Sequence, residues 1–203
     1  MTDGRPLRMT VEEYFAFDHD APEGMRYEYW DGVVVPVHGY DPRTLEAMVG
    51  ASPEHNQIAL NLAAALHDSM TARGCRGATS DQRVPMEPGR YGYPDLAFVC
   101  DEPVYTDDVP PTLENPTLLI ELASPSTGDR DRSKKMAAYT RLASLREYWV
   151  VEPDAPAVPR VLRTPDGWGL RFVRGLDADL ASDDLGVSVP LADVHRLVDL
   201  DAY

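Results

Sequence analysis

The 203-residue sequence predicts an α/β domain: a mixed β-sheet flanked by helices. Three observations carry that reading. Short apolar runs of strand length alternate with segments whose apolar residues recur at helical spacing. An Asp-Gly dipeptide sits between β-prone runs near each end of the chain. A hydrophobic fraction of 43% suffices for one good core or at most two small ones, so residues 1–194 are expected to form a single domain and 195–203 a short acidic tail.

The elements follow in order. Thr10-Val11-Glu12-Glu13 has the form of a capping box and opens a short helix to about Phe17. Tyr27 to Trp30 and Val33 to Val35 flank Asp31-Gly32, whose residues tolerate the positive φ angles of a two-residue hairpin turn. Ser52-Pro53 supplies an N-cap with proline at the first helical position, and Ile58, Leu62, Ala65, Leu66 and Met70 continue at helical spacing until Gly74. This is the longest expected helix.

Strands are expected near Gly77 to Met86, Pro94 to Val99 and Thr117 to Ala123, with an acidic, proline-bearing loop from Asp101 to Pro116 between the last two. A second helix, about Asp129 to Leu142, leads into Glu147 to Val151, short and apolar enough for a buried strand. Arg160 to Thr164 and Gly169 to Val173, joined around Asp166-Gly167, form a closing hairpin. From Asp177 to Tyr203 there are seven Asp and one Arg, with too few large apolar residues for an independent core, so this stretch reads as an extension.

Charge excludes some functions. Nineteen basic against 34 acidic residues give −15, which rules out a nucleic-acid clamp that works through an overall basic surface. Any such contact is local. No run approaches the roughly 20 apolar residues of a membrane span, and the N-terminal residues lack the apolar stretch of a signal peptide, so a cytoplasmic protein without membrane partners is expected. Cys75 and Cys100 stand outside any CxxC or Cys/His spacing and read as buried small hydrophobes.

Two acids stand out. Alternation along the expected strand puts Leu119, Glu121 and Ala123 on one face and Leu118, Ile120 and Leu122 on the other, so Glu121 projects from a strand apolar on both sides. Asp95 opens the equally apolar Leu96 to Val99. Each acid alone suits a strand end that reaches solvent. If the two strands are neighbours, the carboxylates converge and demand a cation or a shared proton. Two carboxylates plus water and phosphate oxygens suit Mg²⁺ or Mn²⁺ rather than zinc.

Seventeen of the 19 basic residues are arginine; the two lysines, Lys134 and Lys135, are adjacent. A compact ammonium on a flexible stem can approach a reacting oxygen in a way a guanidinium does not. Lys135 lies four residues from both Asp131 and Tyr139, on one helical face; a surface pair with Asp131, worth roughly 0.3–0.5 kcal/mol, is the simpler use of it. Residues 127–146 hold six basic and two acidic side chains, a local excess fit for a phosphate diester.

Tyr93-Pro94-Asp95, Glu121-Leu122-Ala123-Ser124-Pro125-Ser126-Thr127, the Asp131, Lys135, Tyr139 spacing and Glu147-Tyr148-Trp149-Val150-Val151 together resemble the Uma family, bacterial proteins described as putative restriction endonucleases and placed in the PD-(D/E)XK nuclease superfamily. The resemblance extends through Tyr27-Glu28, Asp31-Gly32 and Ser52-Pro53-Glu54-His55 and covers Met9 to about Val194. It implies a restriction-endonuclease-like core. It also implies Asp95 and Glu121 as catalytic metal ligands, with the Leu122 carbonyl as a further candidate ligand. The superfamily's motif lysine falls on Ala123 here; the family pattern displaces it onto the next helix, at Lys135. Glu28 and His55 match further family positions and are candidates to complete the site, a helix cap or core hydrogen bond being the alternative for His55. Tyr139 is assigned to packing or support behind the site.

The implied activity is Mg²⁺-dependent (or Mn²⁺-dependent) hydrolysis of phosphodiester bonds in nucleic acid, expected to be DNA, by an endodeoxyribonuclease. Two other classes stay open: a catalytically inactive nuclease-fold binding module, as a homodimer or not, and an enzyme acting on a smaller phosphate ester. Metal titration separates the first pair; dependence on nucleotide length isolates the third.

Overall fold

The computed structural model describes residues 6–22, 25–37, 52–123 and 129–200, the side chains of 129–132 excepted. The Ser124 to Thr127 stretch and the Asp131 side chain, both part of the sequence pattern above, lie outside that set. In chain order the elements are α1 (Val11–His19), β1 (Tyr27–Trp30), β2 (Val33–Pro36), α2 (Pro53–Ala72), β3 (Arg76–Thr79), β4 (Val84–Pro85), β5 (Arg90–Gly92), β6 (Leu96–Val99) and β7 (Leu118–Leu122). There follow α3 (Asp129–Tyr139), β8 (Glu147–Val151), β9 (Ala157–Thr164), β10 (Gly167–Arg174), β11 (Asp179–Ser182), β12 (Val187–Pro190) and α4 (Leu191–Val194).

A six-stranded mixed sheet, ordered β10-β9-β8-β7-β6-β3, carries the molecule; only the β7–β8 pair is parallel, because α3 crosses between them. On one face α2 presents Ile58, Leu62, Leu66 and Met70, a stripe at i+4 intervals, to Phe98, Ile120 and Trp149. Each of those side chains, essentially fully buried, contributes about 1.5–3 kcal/mol. On the other face Ala138 and Tyr139 of α3 cover Leu119, Tyr148 and Val161. A second sheet, β2-β1-β5-β4, packs its Tyr29 and Val34 against Tyr14 of α1.

Local chemistry sets these elements as the sequence predicts. The Thr10 side chain accepts from Glu13 N at 3.2 Å and the Glu13 carboxylate accepts from Thr10 N at 2.8 Å. Asp31 and Gly32 both take positive φ (49° and 91°) between the paired Trp30 and Val33, as a two-residue hairpin turn requires.

Three expectations are corrected. Cys75 and Cys100 are not separate core thiols: they flank the paired Arg76 and Val99 of β3 and β6, and that antiparallel register joins them as a disulfide. The expected strand over Gly77 to Met86 is broken by a turn at Asp81, where Gln82 N bonds Thr79 O at 3.0 Å; its halves serve different sheets, and β5, too short for a periodic signal, pairs between β4 and β1. The segment from Asp177 is no loose extension. Leu180, Leu185, Val187, Val189, Leu191 and Val194 close the α2 side of the core, while Asp179 takes the exposed alternate position in β11 and Asp183 and Asp184 lie exposed in the turn between the strands.

That closure is locked by a buried carboxylate. Glu147, 3% exposed, accepts from Trp149 Nε1 at 2.6 Å, from Arg160 Nη2 at 2.6 Å and from the Ser182 hydroxyl, while Arg160 also reaches the Ala181 carbonyl. His195, also buried, spans the Leu191 and Glu152 carbonyls with its two ring nitrogens. Arg83, wholly buried, fastens α1 to the loop before β7 through Asp18 (3.0 Å), Thr112 Oγ1 (2.8 Å) and the Pro110 carbonyl (2.6 Å), and lies 4.2 Å over the Phe15 ring.

Candidate active site

β6 and β7 run antiparallel with Leu96 opposite Ile120 and Ala97 opposite Leu119. Carried one residue further, that register sets Asp95 directly against Glu121. The two acids that looked misplaced in apolar strands are therefore neighbours at one end of the sheet. Asp95 Oδ2 accepts from the backbone N–H of Leu122 at 2.7 Å, which pins it beside the end of β7.

His55 enters from α2. Ser52 caps that helix by accepting from His55 N at 3.2 Å, and the same capped turn brings the imidazole Nε2 to 2.9 Å from Asp95 Oδ1. Burial opposes the imidazolium, but the hydrogen bond and charge of Asp95, with Glu121 behind it, prevail and raise the His55 pKa above its ordinary value. His55 is thus both a helix-start residue and a member of the cluster.

Glu121 is held from the α3 side. Lys135 Nζ donates to both its oxygens, at 3.1 and 3.2 Å, and Tyr139 donates its hydroxyl to Oε1 at 3.3 Å. The four-residue spacing from Lys135 to Tyr139 thus serves Glu121. Lys135 Nζ also lies 2.7 Å from Glu28 Oε1, and Trp30 Nε1 donates to the other Glu28 oxygen at 3.0 Å. Lys134, one position earlier, is exposed. All five sequence-predicted positions, Glu28, His55, Asp95, Glu121 and Lys135, come together in one cluster.

Its charge is unbalanced. Three carboxylates (Glu28, Asp95 and Glu121) share one lysine and one histidine. Burial pushes the Glu121 carboxyl up to about 7; the Lys135 ammonium pulls the other way, and Asp95 and Glu28 add to the rise. Burial also opposes the Lys135 ammonium, but Glu121 and Glu28 overcome it and hold the group well above its ordinary pKa. Burial, followed by the charge of Glu121, keeps the phenols of Tyr139 and Tyr148 neutral.

Asp95 and Glu121 are the side chains here that could hold a divalent cation. Among the described residues no three His, Cys, Asp or Glu side chains are grouped as a ready metal cage. A pair of carboxylates is nonetheless a donor set that Mg²⁺ can use when water and substrate phosphate fill the rest of its shell.

Comparison with known proteins places the chain. A family model, Uma2, described as "Putative restriction endonuclease", matches residues 11–192. The chain belongs to the Uma2 family. Two uncharacterised proteins of Synechocystis sp. are similar to this Uma2 chain: one is 27% identical over 174 residues, covering 85% of this chain and 91% of the relative. The other is 25% identical over 193 residues, covering 93% and 92%. The crystal structure of a putative nuclease belonging to DUF820 from Anabaena variabilis superposes with a TM-score of 0.70 at 14% identity, over 92% of this chain and 97% of that one, and shares its mixed α/β fold.

Sequence reasoning missed two contributors to the Uma2 site. Trp30 fixes Glu28 from within β1. Gly92, at the end of β5, leaves the space that the site's inner wall occupies: a Cβ there would lie 2.8 Å from the Tyr139 hydroxyl and 3.4 Å from Glu28 Oε1. The one sequence signal for Gly92 is its place between two tyrosines just ahead of Pro94-Asp95, too weak to act on without the fold.

Proposed function

We propose that this Uma2 chain is a metal-dependent endonuclease that hydrolyses phosphodiester bonds in DNA, with Mg²⁺ or Mn²⁺ held by Asp95 and Glu121. One observation carries the reading: Asp95 stands opposite Glu121 in the β6–β7 register, with Lys135 bonded to Glu121. When bound, the ion supplies Lewis-acid polarisation of the phosphate and lowers the pKa of an attacking water.

The chain's own residues divide the remaining work. The Leu122 N–H and His55 fix the orientation of Asp95, so its carboxylate need not reorganise during the reaction. Lys135 keeps its proton and offers a compact positive charge where negative charge grows on the phosphate oxygens. Glu28 and Tyr139 hold that ammonium and its Glu121 partner in place from β1 and α3.

Incubation of the protein with circular and linear duplex DNA, with Mg²⁺, with Mn²⁺ and with chelator, tests the proposal. Metal-dependent nicking or linearisation that Asp95→Asn abolishes is the expected result. Metal-independent binding without scission under every condition would instead mark a nuclease-fold binding module.

A further inference from the structure

We infer that the exposed face of the β9–β10 hairpin guides a nucleic-acid strand to the Asp95–Glu121 site, with Phe172 as a base-stacking platform and Arg174 as its phosphate contact. The inference rests on the proposed nuclease reading and names the surface through which that site takes its substrate.

Charge singles out the hairpin first. Besides Arg160, which is buried against Glu147, residues 157–174 hold three exposed arginines, Arg163, Arg171 and Arg174, and one aspartate, Asp166 at the tip, within a chain of net charge −15. Neither strand contains an acidic residue. For a polyanion repelled by most of this surface, such a local reversal of sign selects where it lands.

Exposure comes next. Leu170 and Phe172 are each 54% exposed, on a strand that forms the free edge of the six-stranded sheet. The Arg174 guanidinium lies over the Phe172 ring at 4.9 Å, which pairs a planar cation with an aromatic face at one exposed spot. Aromatic rings flanked by arginine are how sequence-tolerant sites hold unpaired bases and the adjoining phosphates.

Register then connects this spot to the site. Glu121 pairs with Val150; the β8–β9 register, extended by one residue, sets Val150 against Pro159; and Pro159 pairs with Phe172. Glu121 and Phe172 therefore occupy one row, three strand spacings or about 14 Å apart. They also share a face. Val150 and Val161 pack beneath α3 with Leu119, and Leu170, the partner of Val161, continues that face to the edge. Trp168 Nε1 donates to Thr140 O at 3.0 Å, so the C-terminal end of α3 meets the start of β10, and Phe172 lies further along that strand.

A second copy of the chain is the competing occupant of a free edge. Symmetric antiparallel pairing of two β10 strands would bring Arg171 and Arg174 of one copy alongside the same arginines of the other, so like charges disfavour it. A nucleic-acid strand meets the same arginines with opposite charge.

The test uses the full chain, Ca²⁺ in place of the catalytic ion, and fluorescently labelled single-stranded and duplex oligonucleotides about 20 nucleotides long. Phe172→Ala is expected to weaken binding tenfold or more, and Arg174→Ala to weaken it while flattening its dependence on salt, with Mn²⁺ binding unchanged in both. The Phe172 effect should vanish for mononucleotides, which cannot reach from the site to a ring about 14 Å away. Wild-type affinity in both variants, with metal-dependent cleavage intact, overturns this inference and leaves the nuclease reading standing. Absence of both nucleic-acid binding and cleavage in the wild type overturns the two together. A dimer that Phe172→Ala dissociates, with oligonucleotide affinity unaltered, would assign the face to a second copy and also overturn the inference.

Discussion

Asp95 is joined to the strand that carries Glu121 by a 2.7 Å hydrogen bond from Leu122 N, one residue beyond Glu121 itself. The backbone of β7 therefore ties the two carboxylates together, and they keep their relationship even when one side chain is neutralised. Asp95→Asn and Glu121→Gln should each abolish Mn²⁺ binding measured by calorimetry, with the circular dichroism spectrum of the fold retained. Binding that survives in both variants would remove this pair as the metal site.

Lys135 and Lys134 are adjacent in sequence and unlike in surroundings, because successive helical positions point about 100° apart. Only Lys135 reaches Glu121 and Glu28. Lys135→Ala should lower the cleavage rate at least about 100-fold, the usual cost of losing one donor to developing charge, whereas Lys134→Ala should cut near the wild-type rate. Lys135→Arg should also fail, since a planar guanidinium cannot occupy the space of an ammonium wedged between two carboxylates. Full activity in Lys135→Arg would reduce the lysine to a generic counter-charge.

These two cases show how far the sequence was legible. Glu121 and Asp95 announced themselves because an acid inside an apolar alternation is costly unless something compensates it, and that cost is visible in a string of letters. Lys135 was legible through the family resemblance, its helical spacing to Tyr139 being consistent with it, and Cys75–Cys100 was not legible, since a disulfide depends on which strands pair, and β3 lies 20 residues upstream of its partner β6. The core role of Leu180, Val187 and Val189 was masked by the aspartates around them, Asp179 on the exposed face of β11 and Asp183 and Asp184 in the turn; a hairpin with one buried face looks like an acidic extension when composition is summed over the whole segment. Gly92 carries no side-chain chemistry at all, so only the surrounding atoms reveal it.

Gly92→Ala tests that last point. The added methyl would meet the Tyr139 hydroxyl at 2.8 Å and Met86 Cε at 3.2 Å, so Tyr139 must leave Glu121 or β5 must shift. Overpacking of this kind costs about 1–3 kcal/mol. Denaturant unfolding should show a loss of that size, and cleavage should fall much further than a folded fraction alone explains. Unchanged activity would mean that Tyr139 does not help to position Glu121.

The final expectation concerns pH. In the unfolded chain Glu121 titrates near 4.5; folded and without metal it titrates near 7, because burial disfavours its charge. Between those values the folded protein holds a proton that the unfolded chain has released, so this group's contribution to stability is complete below about 4.5 and is lost as pH rises through about 7. His55, raised above its usual 6.5 by Asp95, carries the same sign at its own higher position. Glu121→Gln removes the first titration, so the melting temperature of the variant relative to wild type should climb between about pH 4.5 and about pH 7 in the absence of metal and level off above that. A cation at the site reverses the sense, since it needs Glu121 ionised and competes with the protons on Glu121 and His55. Mn²⁺ affinity should accordingly rise over the same interval and level off above it, with proton release detectable as a buffer-dependent heat in calorimetry. Equal Mn²⁺ affinity at the two ends of that range would show that the ion does not engage the buried carboxylate.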